Sequence, residues 1–205
     1  MENSQKETAR IEAFSDGVFA IAITLLALEL PFPHIEHIKG NAVLTKAFFD
    51  NWPAYLAFVL SFLSILIMWI NHHALFNHIH KTSSGIMFAN GFMLLLVAAV
   101  PYPTSLIAEY FNTPAENSAV AVYAGLFILI NVAYNWLWYT ASRKKQYLKP
   151  DVTPGTIHTI RKIYLLGFPP YVLSFVVAFF SAGLSLAICT LLWIYWAVVI
   201  RKYNH

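Results

Sequence analysis

Long charge-free stretches alternate with short charged ones along this chain. Residues 51–80, 82–108, 117–142 and 163–200 contain no Asp, Glu, Lys or Arg. A helix needs about 20 mostly apolar residues to cross a bilayer, so each of the first three stretches predicts one spanning helix. The fourth stretch has 38 residues, too many for one span. Ser181-Ala182-Gly183 is its natural break, predicting two short helices and a tight turn. Ahead of these lies an uncharged run from Gly17 to Leu28, entered through Arg10, Ser15 and Asp16. The pattern thus predicts an all-α membrane protein with six transmembrane helices. They fall at about 12–30, 52–76, 84–108, 118–141, 161–181 and 184–201, in a single unit covering residues 1–205. Two prolines in Val100-Pro101-Tyr102-Pro103 kink or end the third helix, and the freed carbonyls need partners. One reading is a structural kink; the other is a wide outer vestibule with Glu109 at its rim.

Within the first helix, Gly17, Ile21, Thr24 and Leu28 are spaced 4, 3 and 4 apart. At about 100° per residue they fall in a stripe roughly 60° wide, and Asp16 points well off it. Such a stripe fits an ordinary packing seam, where small residues and hydroxyls are common, with Thr24 bonded back to the Ala20 carbonyl. It also fits the lining of a pore. Spacing alone favours the seam, because apolar stripes are mostly contact faces. An acid beside the apolar part of a lipid-embedded helix is expensive and calls for a partner. Arg10 lies six residues from Asp16, too far for an i,i+4 pair. Either Arg10 folds back or both have partners on other helices. Anchoring is the plainer role for Asp16, and a proton relay the sharper alternative.

Composition agrees with a lipid setting: 59% of the 205 residues are hydrophobic and 11% charged, against about 25% charged in a soluble domain. The position of charge matters more than its net value of +3. With the N-terminus inside, the inner segments hold Lys6, Arg10, Lys81, Arg143, Lys144, Lys145, Lys149, Arg161, Lys162, Arg201 and Lys202. The outer segments hold only Lys39 and Lys46. That bias predicts both termini in the cytoplasm. The outer segments carry Glu36, Asp50, Glu109 and Glu116, a mildly negative surface that favours cations nearby. The start, MENSQKETAR, lacks the basic and apolar regions of a cleaved signal peptide. Cys189 is single, so no intramolecular disulfide forms.

Little in the chain suggests catalysis. There is no Gly-rich phosphate loop and no Cys-rich metal pattern. His72, His73, His78 and His80 cluster in WINHHALFNHIH. Neither His72 nor His73 pairs with His78 at i,i+4 spacing, and the cluster has no acid, so a helical two-His metal motif is absent. Polar packing at the inner end of the second helix, with Trp69 as an indole donor, is the plainer reading. A histidine there also offers pH sensitivity, with an ordinary pKa of about 6.5. Trp136, Trp138, Trp193 and Trp196 read as interfacial belts and helix contacts.

Arg10-x-x-x-Phe14-Ser15-Asp16, followed by AIAITLLALEL, closely resembles the signature of the transmembrane protein 175 family of potassium channels. Trp69, His72, His73, Phe76, Asn77 and His78 resemble that family's second-helix end. Pro101-Tyr102-Pro103-Thr104 and Glu109-Tyr110 resemble its third helix. Animal members carry two six-helix repeats and dimerise; this chain has one repeat. The resemblance therefore implies a prokaryotic cell-membrane member that assembles as a homotetramer, its first helices around a central pore. It puts Ile21 at an apolar constriction, Thr24 at a hydroxyl layer implicated in ion preference, Leu28 at a further apolar ring, and Gly17 on the same lining. It puts Arg10, Phe14, Ser15 and Asp16 in the signature, and Arg10, Ser15 and Asp16 in a polar network with Trp69 and His78 behind the pore. It reverses the preference for a packing seam.

The chain has no TVGYG-like carbonyl filter, so discrimination between potassium and sodium is expected to be weaker than such a filter gives. The implied function is passive, potassium-preferring conduction, with Na+, Cs+ and H+ as further candidate permeants. No cofactor, metal or nucleic acid is expected; the partners are further copies of the chain and the lipid bilayer. The alternative is a proton channel or proton-coupled transporter using Asp16 and the histidines. A membrane metalloenzyme is the least supported class.

Overall fold

The computed structural model describes residues 2–31 and 40–203; Glu36 and Lys39 lie outside them. Regular structure among the described residues is helical, apart from one isolated bridge between Ile79 and Leu148. The helices are α1 (Glu2–Leu25), α2 (Asn41–Asp50), α3 (Trp52–Phe76), α4 (Ser84–Ala98), α5 (Pro101–Tyr110), α6 (Glu116–Ser142), α7 (Pro154–Ala178) and α8 (Ala182–Tyr203). A 3-10 turn, Leu26–Glu29, continues α1.

Among the described residues, five segments are long and apolar enough to cross a bilayer: Thr8–Glu29, Trp52–Phe76, Ser84–Tyr110, Glu116–Ser142 and Pro154–Ala178. The apolar stretch of α8, Ala182–Val198, is shorter.

The helix ends follow local chemistry. Ser83 caps α4 by accepting a hydrogen bond from the Ile86 amide at 3.3 Å. Thr153 caps α7 through the Thr156 amide at 3.1 Å, and Pro154 supplies the preset φ of a first helical turn. That helix therefore begins before its predicted start at 161. Likewise α1 is helical from Glu2, because Gln5, Lys6, Glu7, Ala9 and Arg10 are good helix formers that an apolar pattern does not register. The third apolar stretch is two helices. Pro101 opens α5 and Pro103 lacks the amide that would bond back into α4. Helix α2, between α1 and α3, has no counterpart among the six predicted helices.

Helix α6 is the hub, packing against α4, α5, α7 and α8. Val120, Ala124, Ala133, Leu137 and Ala141 on it are fully buried. Helix α1 packs on α3 and α4 at the bundle's edge. Large apolar side chains such as Phe88, Leu95 and Phe180 are exposed, as a lipid-facing surface requires.

Candidate functional site

The two faces of α1 differ sharply. Toward α3 and α4 it buries Thr8, Ser15, Phe19, Ala22 and Leu26, repeating at helical spacing. The opposite side presents Phe14, Gly17, Ile21, Thr24 and Leu28, all exposed. Ile21 is 60% and Leu28 74% exposed, whereas Phe19 is 1% exposed. The stripe thus packs on none of the described residues, and the seam is the opposite face. The Thr24 hydroxyl donates to the Ile21 carbonyl at 2.9 Å, not to that of Ala20. Its oxygen accepts from none of the described residues.

Polar groups hold the buried face in place. Trp69 Nε1 on α3 donates to Asp16 Oδ1 on α1 at 2.8 Å. One turn toward the N-terminus, Glu12 Oε2 lies 4.0 Å from His73 Nδ1. Positions 12 and 16 share one face of α1, and 69 and 73 share one face of α3, so the two contacts form adjacent rungs between the helices. The Trp69 contact is charge-assisted and short.

A second tie runs through α4. The Asn90 amide nitrogen donates to Ser15 Oγ at 3.0 Å, and Ser15 Oγ donates to the Ile11 carbonyl at 2.8 Å. The Asn90 oxygen faces His72 Nε2 at 2.8 Å. Because the Asn90 nitrogen is spent on Ser15, its oxygen is the acceptor and His72 carries its proton on Nε2. Asn90, His72 and Ser15 are all buried, so this link joins α1, α3 and α4 away from water.

Of the implied network, the structure brings Asp16 and Trp69 into direct contact and ties Ser15 to Asn90 and His72. It puts His78 elsewhere: the His78 ring meets Trp138 edge-on at 6.1 Å, and its carbonyl accepts from the Lys149 amide at 3.0 Å. Phe76 ends α3, so His78 sits past the helix, beside the loop between α6 and α7 rather than behind α1. Burial lowers its pKa, Asp151 raises it and Lys149 lowers it further. Arg10 is exposed in a groove of about 720 Å³ between α1 and the start of α4, bordered by Thr82, Ser83 and Met87.

The sequence motifs do not single out Asn90 or Glu12. Asn90 has one signal, an amide alone in the middle of a charge-free helix, where an unpaired amide is costly. Elsewhere, Ser61 and Thr104 hydroxyls meet at 2.6 Å. Thr104 Oγ1 is also within 2.8 Å of the Val100 carbonyl at the α4–α5 break.

The model of the endosomal/lysosomal potassium channel TMEM175 matches residues 10–101. A Chamaesiphon minutus protein named as a potassium channel is 43% identical over 194 residues, 95% of each chain. The crystal structure of a lysosomal potassium-selective channel TMEM175 homolog from the same organism superposes with a TM-score of 0.86. It is 42% identical and covers 96% of this chain and 99% of that one. The Danio rerio endosomal/lysosomal proton channel TMEM175 is 33% identical over 153 residues, 71% of this chain and 29% of that longer protein. Carrying the signature on α1 and matching a relative along nearly its whole length, the chain belongs to the TMEM175 family.

Proposed function

We propose that this chain is the subunit of a potassium-preferring channel in a prokaryotic cell membrane. Four copies assemble with α1 of each around a central path. Each subunit crosses the bilayer six times, α8 being the sixth span, with both termini in the cytoplasm as the Lys/Arg bias requires. The observation that carries this reading is the unpartnered stripe of α1, Gly17, Ile21, Thr24 and Leu28, opposite a face that is fully packed. Near-complete coverage by a bacterial protein named as a potassium channel supports it.

In this arrangement Ile21 forms the narrow apolar ring, and such a ring closes by dewetting. Thr24, one turn on, offers hydroxyl oxygens to a partly dehydrated cation. Its proton is already donated to the Ile21 carbonyl, so the lone pairs point to the ion. Leu28 adds an outer apolar ring. Asp16 does not meet the ion; with Trp69 it fixes the rotation of α1. Arg10, Phe14 and Ser15 complete the inner end of that helix.

A planar bilayer with purified protein between potassium and sodium solutions tests this. A reversal potential favouring potassium is expected, and Ile21→Asn should raise the current or lower the preference by wetting the ring. Unchanged conductance and preference in Ile21→Asn would remove Ile21 from the path. The second reading, proton conduction, draws on the vertebrate relative named as a proton channel. It predicts proton flux without potassium current, abolished by Asp16→Asn in a normally assembled protein.

A further inference from the structure

Far from the α1 stripe, a cavity of about 40 Å³ lies between α3, α6, α7 and α8. Ser64, Asn131 and Tyr164 on its wall fall near the middle of their helices, so the cavity lies about halfway along the bundle. Phe127 and Ile130 supply apolar wall, but four lining side chains keep hydrogen-bonding capacity that no described residue uses. Asn131 accepts at Oδ1 from Asn135 at 3.0 Å, and its Nδ2 is unused. Asn71 donates from Nδ2 to the Ile67 carbonyl at 2.9 Å, and its Oδ1 is unused. Tyr171 accepts from Trp196 Nε1 at 3.0 Å, which leaves its own proton without an acceptor. The Tyr164 hydroxyl, on a residue only 7% exposed, bonds to no described residue.

Among the described residues, no buried side-chain nitrogen or oxygen is both closed off from a water-sized probe and unpartnered. Asn131 Nδ2, Asn71 Oδ1 and Tyr164 Oη, which have no described partner, therefore open onto space, and all three residues line the cavity. A water molecule needs about 10–15 Å³ of such volume and two to four polar partners. The volume admits about three molecules, and the four side chains supply both donors and acceptors.

We propose that this cavity is an internal water site in each subunit, solvating Tyr164, Asn131, Asn71 and Tyr171. Ser64 on the same wall extends it toward Tyr123 and Ser61, whose hydroxyls lie 3.5 Å apart, and on to Thr104. The waters thus continue a buried polar line from α5 to the centre of the subunit, separate from the stripe of α1.

Full-length protein at a resolution that shows ordered water tests this, with xenon alone as the competing probe. Expected are ordered density within hydrogen-bond distance of Tyr164 Oη and Asn131, and no xenon in the cavity. Tyr164→Phe should lower Tm by a few degrees, because a water loses a partner, while the reversal potential between potassium and sodium solutions stays unchanged. Xenon bound in the cavity would overturn the proposal, since dry apolar cavities take it up. So would Tyr164→Phe with Tm equal to or above that of the wild type, because removing a stranded hydroxyl from a dry site does not destabilise.

Discussion

Truncating Asn90 to alanine should loosen α1 from its support more than any exposed substitution. Asn90 is 3% exposed and bonds to both His72 and Ser15. Interhelical hydrogen bonds in membrane proteins average about 0.6 kcal/mol, so the two bonds together are worth only about 1 kcal/mol. A greater loss comes from the His72 Nε2–H, left without an acceptor in a site where that residue is 1% exposed. A stranded buried donor costs about 1–3 kcal/mol. Ser15 loses a donor but keeps its own bond to the Ile11 carbonyl, so it adds little. The sum is about 2–4 kcal/mol, or roughly 4–16 °C in Tm for a chain of this size. Thermal unfolding of the purified assembly in detergent reads it directly. The double variant Asn90→Leu/His72→Phe should be less destabilised than the two single changes added together, because neither partner is then stranded. A wild-type Tm for Asn90→Ala, together with strict additivity in the double variant, would refute the three-helix link.

Trp69→Phe keeps the ring but removes the donor to Asp16, so it should reduce assembly, read as the tetramer fraction by size-exclusion chromatography; the exposure of both residues limits the loss to about 1 kcal/mol. Asp16→Ala should act in the same direction, and a well-assembled, normally conducting variant would count against anchoring. Gly167→Ala puts a Cβ 2.5 Å from Trp196 Cζ2 and should cost about 1–3 kcal/mol in thermal unfolding, a loss that Trp196→Leu should partly relieve. Burial lowers the His78 pKa in the folded protein, so the unfolded chain takes up that proton first. Its effect is absent well above the ordinary value of 6.5 and destabilising as pH falls through that value toward the lowered one. A flatter Tm profile from about pH 7 to about pH 5 is therefore expected for His78→Gln.

The apolar runs locate α3, α6 and the turn before α8 because spanning helices must be long and uncharged. The polar first turns of α1 and α7 are hidden for the same reason. Capping at Thr153 and good helix formers at Gln5 to Arg10 decide those ends, and neither changes hydropathy. Pro101 and Pro103 mark a disturbance in the third stretch, but whether it kinks or ends the helix depends on tertiary partners. Thr104 has its own, Ser61, 43 positions earlier in the chain.

Periodicity tells which residues of α1 share a face, yet it cannot tell what each face meets. Asp16 signals the need for a partner, but that partner is 53 residues away on α3, a pairing that follows from the packing of α1 on α3. His78 shows the converse. It matches a motif, but two residues beyond the end of α3 the backbone has turned toward the loop between α6 and α7 and carried the ring to Trp138. The stripe itself is ambiguous in sequence for a physical reason: a packing seam and a pore lining obey the same 3.6-residue repeat. Burial bears on the choice: Phe19, Ala22 and Leu26 supply a seam, and Gly17, Ile21, Thr24 and Leu28 are exposed among the described residues. Lipid alone would favour larger and wholly apolar residues at Gly17 and Thr24. A glycine and a hydroxyl aligned with Ile21 and Leu28 are better suited to a path that a hydrated cation enters and partly dehydrates in.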